Sequence, residues 1–174
     1  MKVRDVMTPS PQCCSVGDTA QTVAKLLTSA GVGCLPVVSD DESRLLQGIV
    51  TDRDICCKVV AAELDPLTTL IESFMTSGPV TCRSEQSLDS CEKLMQLYRV
   101  RRVPVVDDEG HCIGILSQAD LARCEDAEKA NKTLAEISRQ PEVIIMGSGF
   151  DNVSFAIVKS PTQQLQRSTW SWLR

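Results

Sequence analysis

The chain carries one histidine, His111, and none of its nine cysteines forms a Cys-x-x-Cys pair. A Cys/His zinc site therefore has almost no raw material. There is no Ser/His/Asp set, no Gly-x-x-x-x-Gly-Lys loop, and no close His/carboxylate cluster is expected, so catalysis has little to stand on. Positive charge is also short. Lys and Arg number 18 against 23 Asp and Glu, a net charge of -5. That balance excludes nucleic acid or an anionic membrane as the main partner, since both need a basic footprint. It leaves room for a small anion held by two or three local arginines. No apolar run is long enough to cross a bilayer. The start, Met1-Lys2-Val3-Arg4-Asp5, lacks the apolar core of a signal peptide, so a cytoplasmic location is expected. The cysteines should then be reduced and act as small core residues.

What is present is a sequence stated twice. Met7-Thr8, Pro36-Val37-Val38 and Gly48-Ile49-Val50-Thr51-Asp52-Arg53-Asp54 recur as Met75-Thr76, Pro104-Val105-Val106 and Gly114-Ile115-Leu116-Ser117-Gln118-Ala119-Asp120. Met75 minus Met7, Cys82 minus Cys14, Leu94 minus Leu26 and Pro104 minus Pro36 all equal 68. Gly114 minus Gly48 and Asp120 minus Asp54 equal 66. The slip falls in the polar turns that follow Val38 and Val106, where a change of loop length costs little. Two copies of one unit imply pseudo-twofold packing with a cleft between them. The length, 174 residues, with 43% hydrophobic and 24% charged residues, suits a soluble globular chain of that kind.

Each copy reads β-α-β-β-α. In the first, Gln12 to Val16 is extended, and Asp18 or Thr19 caps a helix whose apolar positions are Ala20, Val23, Ala24, Leu27 and Ala30. Gly31 ends it. Cys34 to Val38 and Leu46 to Thr51 form a hairpin, and Asp52 starts a helix through about Ala62. In the second copy Val80 to Arg83 is extended and Ser87 caps a helix. Arg102 to Asp107 and Cys112 to Ser117 form the hairpin, and Gln118 to about Cys124 is the last helix. Lys2 to Val6 and Leu70 to Phe74 are short lead-in helices. Residues 1–66 hold the first repeat with its lead-in, 67–125 the second, and 126–140 a charged helix anchored by Leu134 and Ile137 and stopped by Pro141. Residues 141–174 have no counterpart in either repeat and no assigned role, although Val143 to Met146 has the character of an edge strand.

Two pairs of motifs carry chemistry. In the first, a strand ends in a hydroxyl residue, Thr51 or Ser117, and enters a helix; a carboxylate, Asp54 or Asp120, follows three positions later. A helix start offers free N–H groups and partial positive charge to a phosphate, and a carboxylate accepts bonds from ribose hydroxyls. The same spacing also describes a plain helix cap; recurrence with the same flanks favours the ligand reading. The second pair is Val32-Gly33-Cys34 and Val100-Arg101-Arg102, each leading into the hairpin. The second copy places two guanidinium forks at the cleft rim, suited to phosphate or to simple solvation. Arg53 is the third candidate cation.

These motifs resemble a tandem pair of CBS (cystathionine-β-synthase) domains, a Bateman module, over about Lys2 to Cys124. Glu136-Ile137-Ser138-Arg139-Gln140 is similar to the end of small stand-alone bacterial members. The resemblance implies an α/β (α+β) fold of two β-α-β-β-α repeats packed with pseudo-twofold symmetry through their sheets. It implies binding of an adenosine-containing ligand, AMP, ADP or ATP first, NAD or S-adenosylmethionine next, with no cofactor required. It also implies a homodimer acting as a metabolite or energy sensor, with an unidentified regulated protein as a further partner, and no enzyme activity. By motif position, Asp54 and Asp120 would hold ribose hydroxyls, and Thr51 and Ser117 the phosphate or ribose side. Val32, Gly33, Cys34, Val100, Arg101 and Arg102 would flank base or phosphates. The stretches Pro11 to Cys14 and Pro79 to Cys82 would close over adenine, largely through backbone groups.

The copies are unequal. Gly33-Cys34 stands opposite Arg101-Arg102, and Arg53 opposite Ala119. The cleft built on Asp120 is favoured for phosphates because Arg102 belongs to its own repeat; the Asp54 cleft keeps Arg53 and borrows Arg101. Two other readings stand beside this one: an interaction scaffold with degenerate ligand sites, and a thiol redox sensor with a low-pKa cysteine.

Overall fold

The computed structural model describes residues 1–40, 42–124 and 127–139. The expected Pro141 stop, the Val143–Met146 edge strand and the 141–174 segment lie outside the described residues.

The repeat is visible in the order of elements. A 3-10 turn at Val3–Asp5 leads to β1 (Thr8–Pro9) and β2 (Cys14–Ser15). Helix α1 (Ala20–Ala30), β3 (Cys34–Val38), β4 (Leu46–Thr51) and α2 (Asp52–Ile55) follow, the last continuing as a π-helical turn, Cys56–Val60. A second 3-10 turn at Ile71–Ser73 opens the repeat again: β5 (Thr76–Ser77), β6 (Cys82–Arg83), α3 (Leu88–Tyr98), β7 (Arg102–Val106), β8 (Cys112–Ser117) and α4 (Gln118–Cys124). Helix α5 (Ala127–Ser138) closes the described chain.

Local chemistry sets the helix ends. Thr19 and Ser87 accept from the backbone N–H three residues on, which satisfies an otherwise orphaned donor. Helix α1 ends at Gly31 in the left-handed region, φ 65°. The equivalent residue of α3 is Arg99, which takes the same conformation at φ 52° without glycine's freedom. The expected single helix from Asp52 to about Ala62 widens instead after Ile55, where the Ala61 N–H bonds Cys56 O.

The lead-ins are exchanged. The sheets run β2-β3-β4-β5 and β1-β8-β7-β6, so β1 closes the second repeat's sheet and β5 the first's. Thr8 pairs with Ile115 and Pro9 with Gly114, while Thr76 pairs with Ile49 and Ser77 with Gly48. Val3 lies in the core of Leu88, Met95, Val103, Leu116 and Leu121. Ile71 and Phe74 lie in the core of Val23, Leu27, Leu35, Val37 and Val50. Gly48 and Gly114 make the exchange possible. A Cβ on Gly48 would stand 2.7 Å from Met75 Sδ and 2.9 Å from Thr76 O, and one on Gly114 would collide with Met7. Each repeated Met-Thr thus packs on the motif glycine of the other repeat.

The pseudo-twofold axis passes between the hairpins. The Leu46 N–H donates to Gly110 O (3.1 Å) and the Cys112 N–H to Arg44 O (2.8 Å), symmetric bonds flanking a bridge between Leu45 and His111. Cys13, Val38 and Cys112 form a small apolar cluster there. Strand β3 is buried throughout, as expected for a strand covered on both faces. Helix α5 docks on the second core through Ile137, with Leu134 only half-buried. Thr133, unanticipated, is buried and donates to Glu92, while Gln96 Nε2 donates to Thr133 Oγ1 at 3.0 Å.

Candidate functional site at the repeat interface

Both hydroxyl–carboxylate pairs form reciprocal helix caps. Asp54 Oδ2 accepts from the Thr51 N–H (2.9 Å) and Thr51 Oγ1 (2.7 Å), and Thr51 Oγ1 accepts from the Asp54 N–H (3.1 Å). Asp120 Oδ2 accepts from the Ser117 N–H (2.8 Å) and Oγ (2.6 Å), and the Asp120 N–H returns to Ser117 Oγ at 3.3 Å. Capping and carboxylate placement are therefore one device: the hydroxyl orients the acid.

This corrects one expectation. The first N–H groups of both helices are engaged. The Asp52 N–H donates to Gly33 O and the Gln118 N–H to Arg101 O, at 3.2 and 2.9 Å. The Arg53 N–H donates to Asp52 Oδ1 at 2.7 Å. At both helix starts the first N–H is thus taken by a backbone carbonyl of the neighbouring strand's lead-in.

A cavity of about 570 Å³ opens between the repeats. It gathers Ser117, Asp120 and Arg102 from the second repeat and Val32, Gly33 and Cys34 from the first. Asp120 is only 4% exposed, a buried acid with one oxygen turned over to the cap. The Arg102 guanidinium crosses toward the first repeat. Its Nη2 and Nη1 lie 3.7 and 3.8 Å from the point where a Gly33 Cβ would stand, and Asp52 Oδ2 lies 3.4 Å from the same point. Arginine reach and glycine absence are thus complementary.

The cavity also includes Thr8, Ser10, Pro11, Gln12 and Arg123, none of which was singled out as a side chain from sequence. Thr8 carried a signal, since Met-Thr is repeated. Arg123 carried one too: a cation one helical turn after the acid, its Nη2 donating to Asp120 Oδ1.

The other sequence candidates lie elsewhere. Thr51 and Asp54 sit at the pseudo-twofold equivalent position, where Asp54 Oδ1 pairs with Lys58 Nζ at 2.8 Å. Arg53 and Arg101 are exposed, and Val100 packs against the second core. The thiols of Cys14 and Cys82 belong to the two cores. Burial, with Asp18 and Cys13 nearby, pushes Cys14 up to about 12. Burial pushes Cys34 up to about 11 despite the opposing charge of Arg102. The contact with Cys91, and then burial, pushes Cys82 upward. None of these three is a thiolate at neutral pH. Among the cysteines, Cys56, Cys57 and Cys124 are exposed.

The sequence expectation of no His/carboxylate cluster is also corrected. His111 Nδ1 lies 3.0 Å from Asp107 Oδ2 and 3.5 Å from Glu109 Oε2 in the β7–β8 turn. No described helix is long and apolar enough to cross a membrane.

Known proteins share this architecture. An uncharacterized Bacillus subtilis protein, YlbB, is 36% identical over 138 residues, covering 79% of this chain and 91% of its own. The crystal structure of Arabidopsis thaliana CBSX2 in complex with AMP matches with a TM-score of 0.61 at 28% identity, covering 71% of this chain and 94% of that one. The CBS domain pair of protein MJ0100, in complex with 5-methylthioadenosine and S-adenosyl-L-methionine, matches with a TM-score of 0.63 at 29% identity, over 71% and 98%. The CBS domain description fits residues 3–60 and again 71–127, two stretches that each span one β-α-β-β-α unit with its exchanged lead-in. The chain belongs to the CBS-domain family, as a pair of such domains.

Proposed function

We propose that this CBS pair is a regulatory module that binds an adenosine-containing ligand in the Asp120 cleft. The observation that carries the reading is the cavity itself. A buried, pre-oriented carboxylate, a guanidinium and an apolar wall from the opposite repeat converge there. A ribose can donate to Asp120, a base can lie against Val32 and Pro36, and Arg102 faces the anionic end. About 570 Å³ is within the usual range for a small-molecule site. CBSX2 with AMP and MJ0100 with S-adenosyl-L-methionine support the adenosine class. The ligand set is AMP, ADP or ATP first, with NAD or S-adenosylmethionine as alternatives.

The role is regulatory rather than catalytic. The ligand bridges two repeats, so binding biases their relative packing, and a homodimer passes that bias to a regulated protein. The dimer reading is supported by the exposure of Val60, Leu64 and Leu67, three large apolar side chains in and just after the turn that continues α2. A thermal-shift screen against AMP, ADP, ATP, NAD and S-adenosylmethionine tests the reading, because a ligand bound only by the native state raises the melting temperature. A rise with at least one adenosine ligand is expected. No shift with any of them leaves the interaction-scaffold reading in its place.

A further inference from the structure

Arg123 has an unusual position in the Asp120 cleft. Asp120 Oδ2 is committed to the Ser117 N–H and hydroxyl, so the acceptor capacity left to a ligand is on Oδ1. Arg123 Nη2 already donates to that oxygen. A ribose hydroxyl and Arg123 therefore share one acceptor atom, and a second donor there weakens the hold of the first. Arg123 is free to yield, because its side chain is 70% exposed while that of Asp120 is only 6% exposed. Arg102 is differently placed, lying against Gly33 beside Asp52.

We infer that Arg123 is an exchange gate that makes the Asp120 cleft select phosphorylated nucleosides over nucleosides. It neutralises the buried Asp120 until a ribose takes Oδ1, and then transfers its guanidinium to the ligand's phosphate. A nucleotide loosens the pair and supplies its own dianion as the new partner. A nucleoside loosens the same pair and offers nothing in return, which leaves the guanidinium less well paired. The inference deepens the proposed adenosine site and rests on it.

The first repeat lacks the device. The residue equivalent to Arg123 is Cys57, and Asp54 pairs instead with Lys58. Lys58 Nζ also donates to Phe74 O at 2.7 Å, which ties it to the second 3-10 turn. A cation held from both sides does not swing to a ligand. Phosphate selectivity by exchange is therefore a property of the Asp120 cleft and not of its mate.

Calorimetry on the full chain tests this with AMP and adenosine, using wild type, Arg123→Gln and Arg123→Lys. Arg123→Gln is expected to weaken AMP by about tenfold, the worth of one charge-assisted bond, while adenosine binds as well as before or better. Arg123→Lys should restore part of the AMP preference. A merely structural Arg123 would shift both ligands by one factor, and that result, or an unchanged AMP affinity, overturns the gate alone. A wild-type protein that binds neither ligand overturns the site reading and the gate with it.

Discussion

At the residue scale, the repeat identities are contacts rather than decoration. Gly48 and Gly114 have ordinary backbone conformations, so neither is required by its φ. Each is required by proximity to the Met-Thr of the other copy. At Gly48 one neighbour is the backbone carbonyl of Thr76, which cannot rotate away as a side chain can. Gly48→Ala is expected to destabilise the fold by about 1–3 kcal/mol, the usual cost of overpacking. Urea denaturation checks this; an unchanged midpoint contradicts the packing account. Thr51 and Ser117 likewise have one structural task each, holding Asp54 and Asp120 through a reciprocal cap.

At the scale of elements, α1 and α3 are the same helix with different stops. Gly31 takes the left-handed conformation freely, whereas Arg99 takes it against the clash of its Cβ with the backbone. Arg99→Gly should stabilise the protein by about 1 kcal/mol, read as a raised denaturation midpoint. A lowered midpoint would mean that the Arg99 side chain contributes more than its backbone strain costs. The hairpins and both long helices were legible from period and punctuation: Thr19, Ser87 and Gly31 mark boundaries by chemistry that acts within a few residues. The exchange of β1 and β5 was not legible. A constant offset of one copy from the other is equally consistent with each lead-in closing its own sheet or its neighbour's. The π-helical turn after Ile55 was not legible either; Lys58, within it, reaches Phe74 across the tertiary structure. Arg123 is not marked by the repeat, since Cys57 stands at its counterpart.

At the scale of the whole molecule, exchange makes the two repeats one folding unit. Val3 fills the second core and Ile71 the first, so neither half retains its core if the chain is divided between them. Burial couples this shared core to pH through its thiols. Cys34 and Cys14 keep their protons up to about 11 and about 12, against 9.0 for the free thiol. Above about pH 9 the unfolded chain releases protons that the folded chain retains, so stability falls with rising pH across that window. Below it the contribution is fully present. Denaturation at about pH 8 and about pH 10 checks the sign: the midpoint should be lower at the higher pH, and an equal or higher one contradicts it. The same buried thiols argue against a redox sensor built on Cys14, Cys34 or Cys82.

The two clefts differ because divergence between the copies acts at their shared interface. The Asp120 cleft takes Gly33 and Cys34 from the first repeat, whose counterparts in the second are Arg101 and Arg102, and Arg102 lines the same cleft. Everything proposed for the Asp120 cleft depends on its carboxylate holding the ribose of an adenosine ligand. Calorimetric titration of AMP into wild type and Asp120→Asn decides this, with the fold of the variant checked by circular dichroism. A loss of at least about tenfold in affinity is expected, from the charge-assisted bonds that the carboxylate gives up. AMP binding to a folded Asp120→Asn protein at unchanged affinity would contradict it.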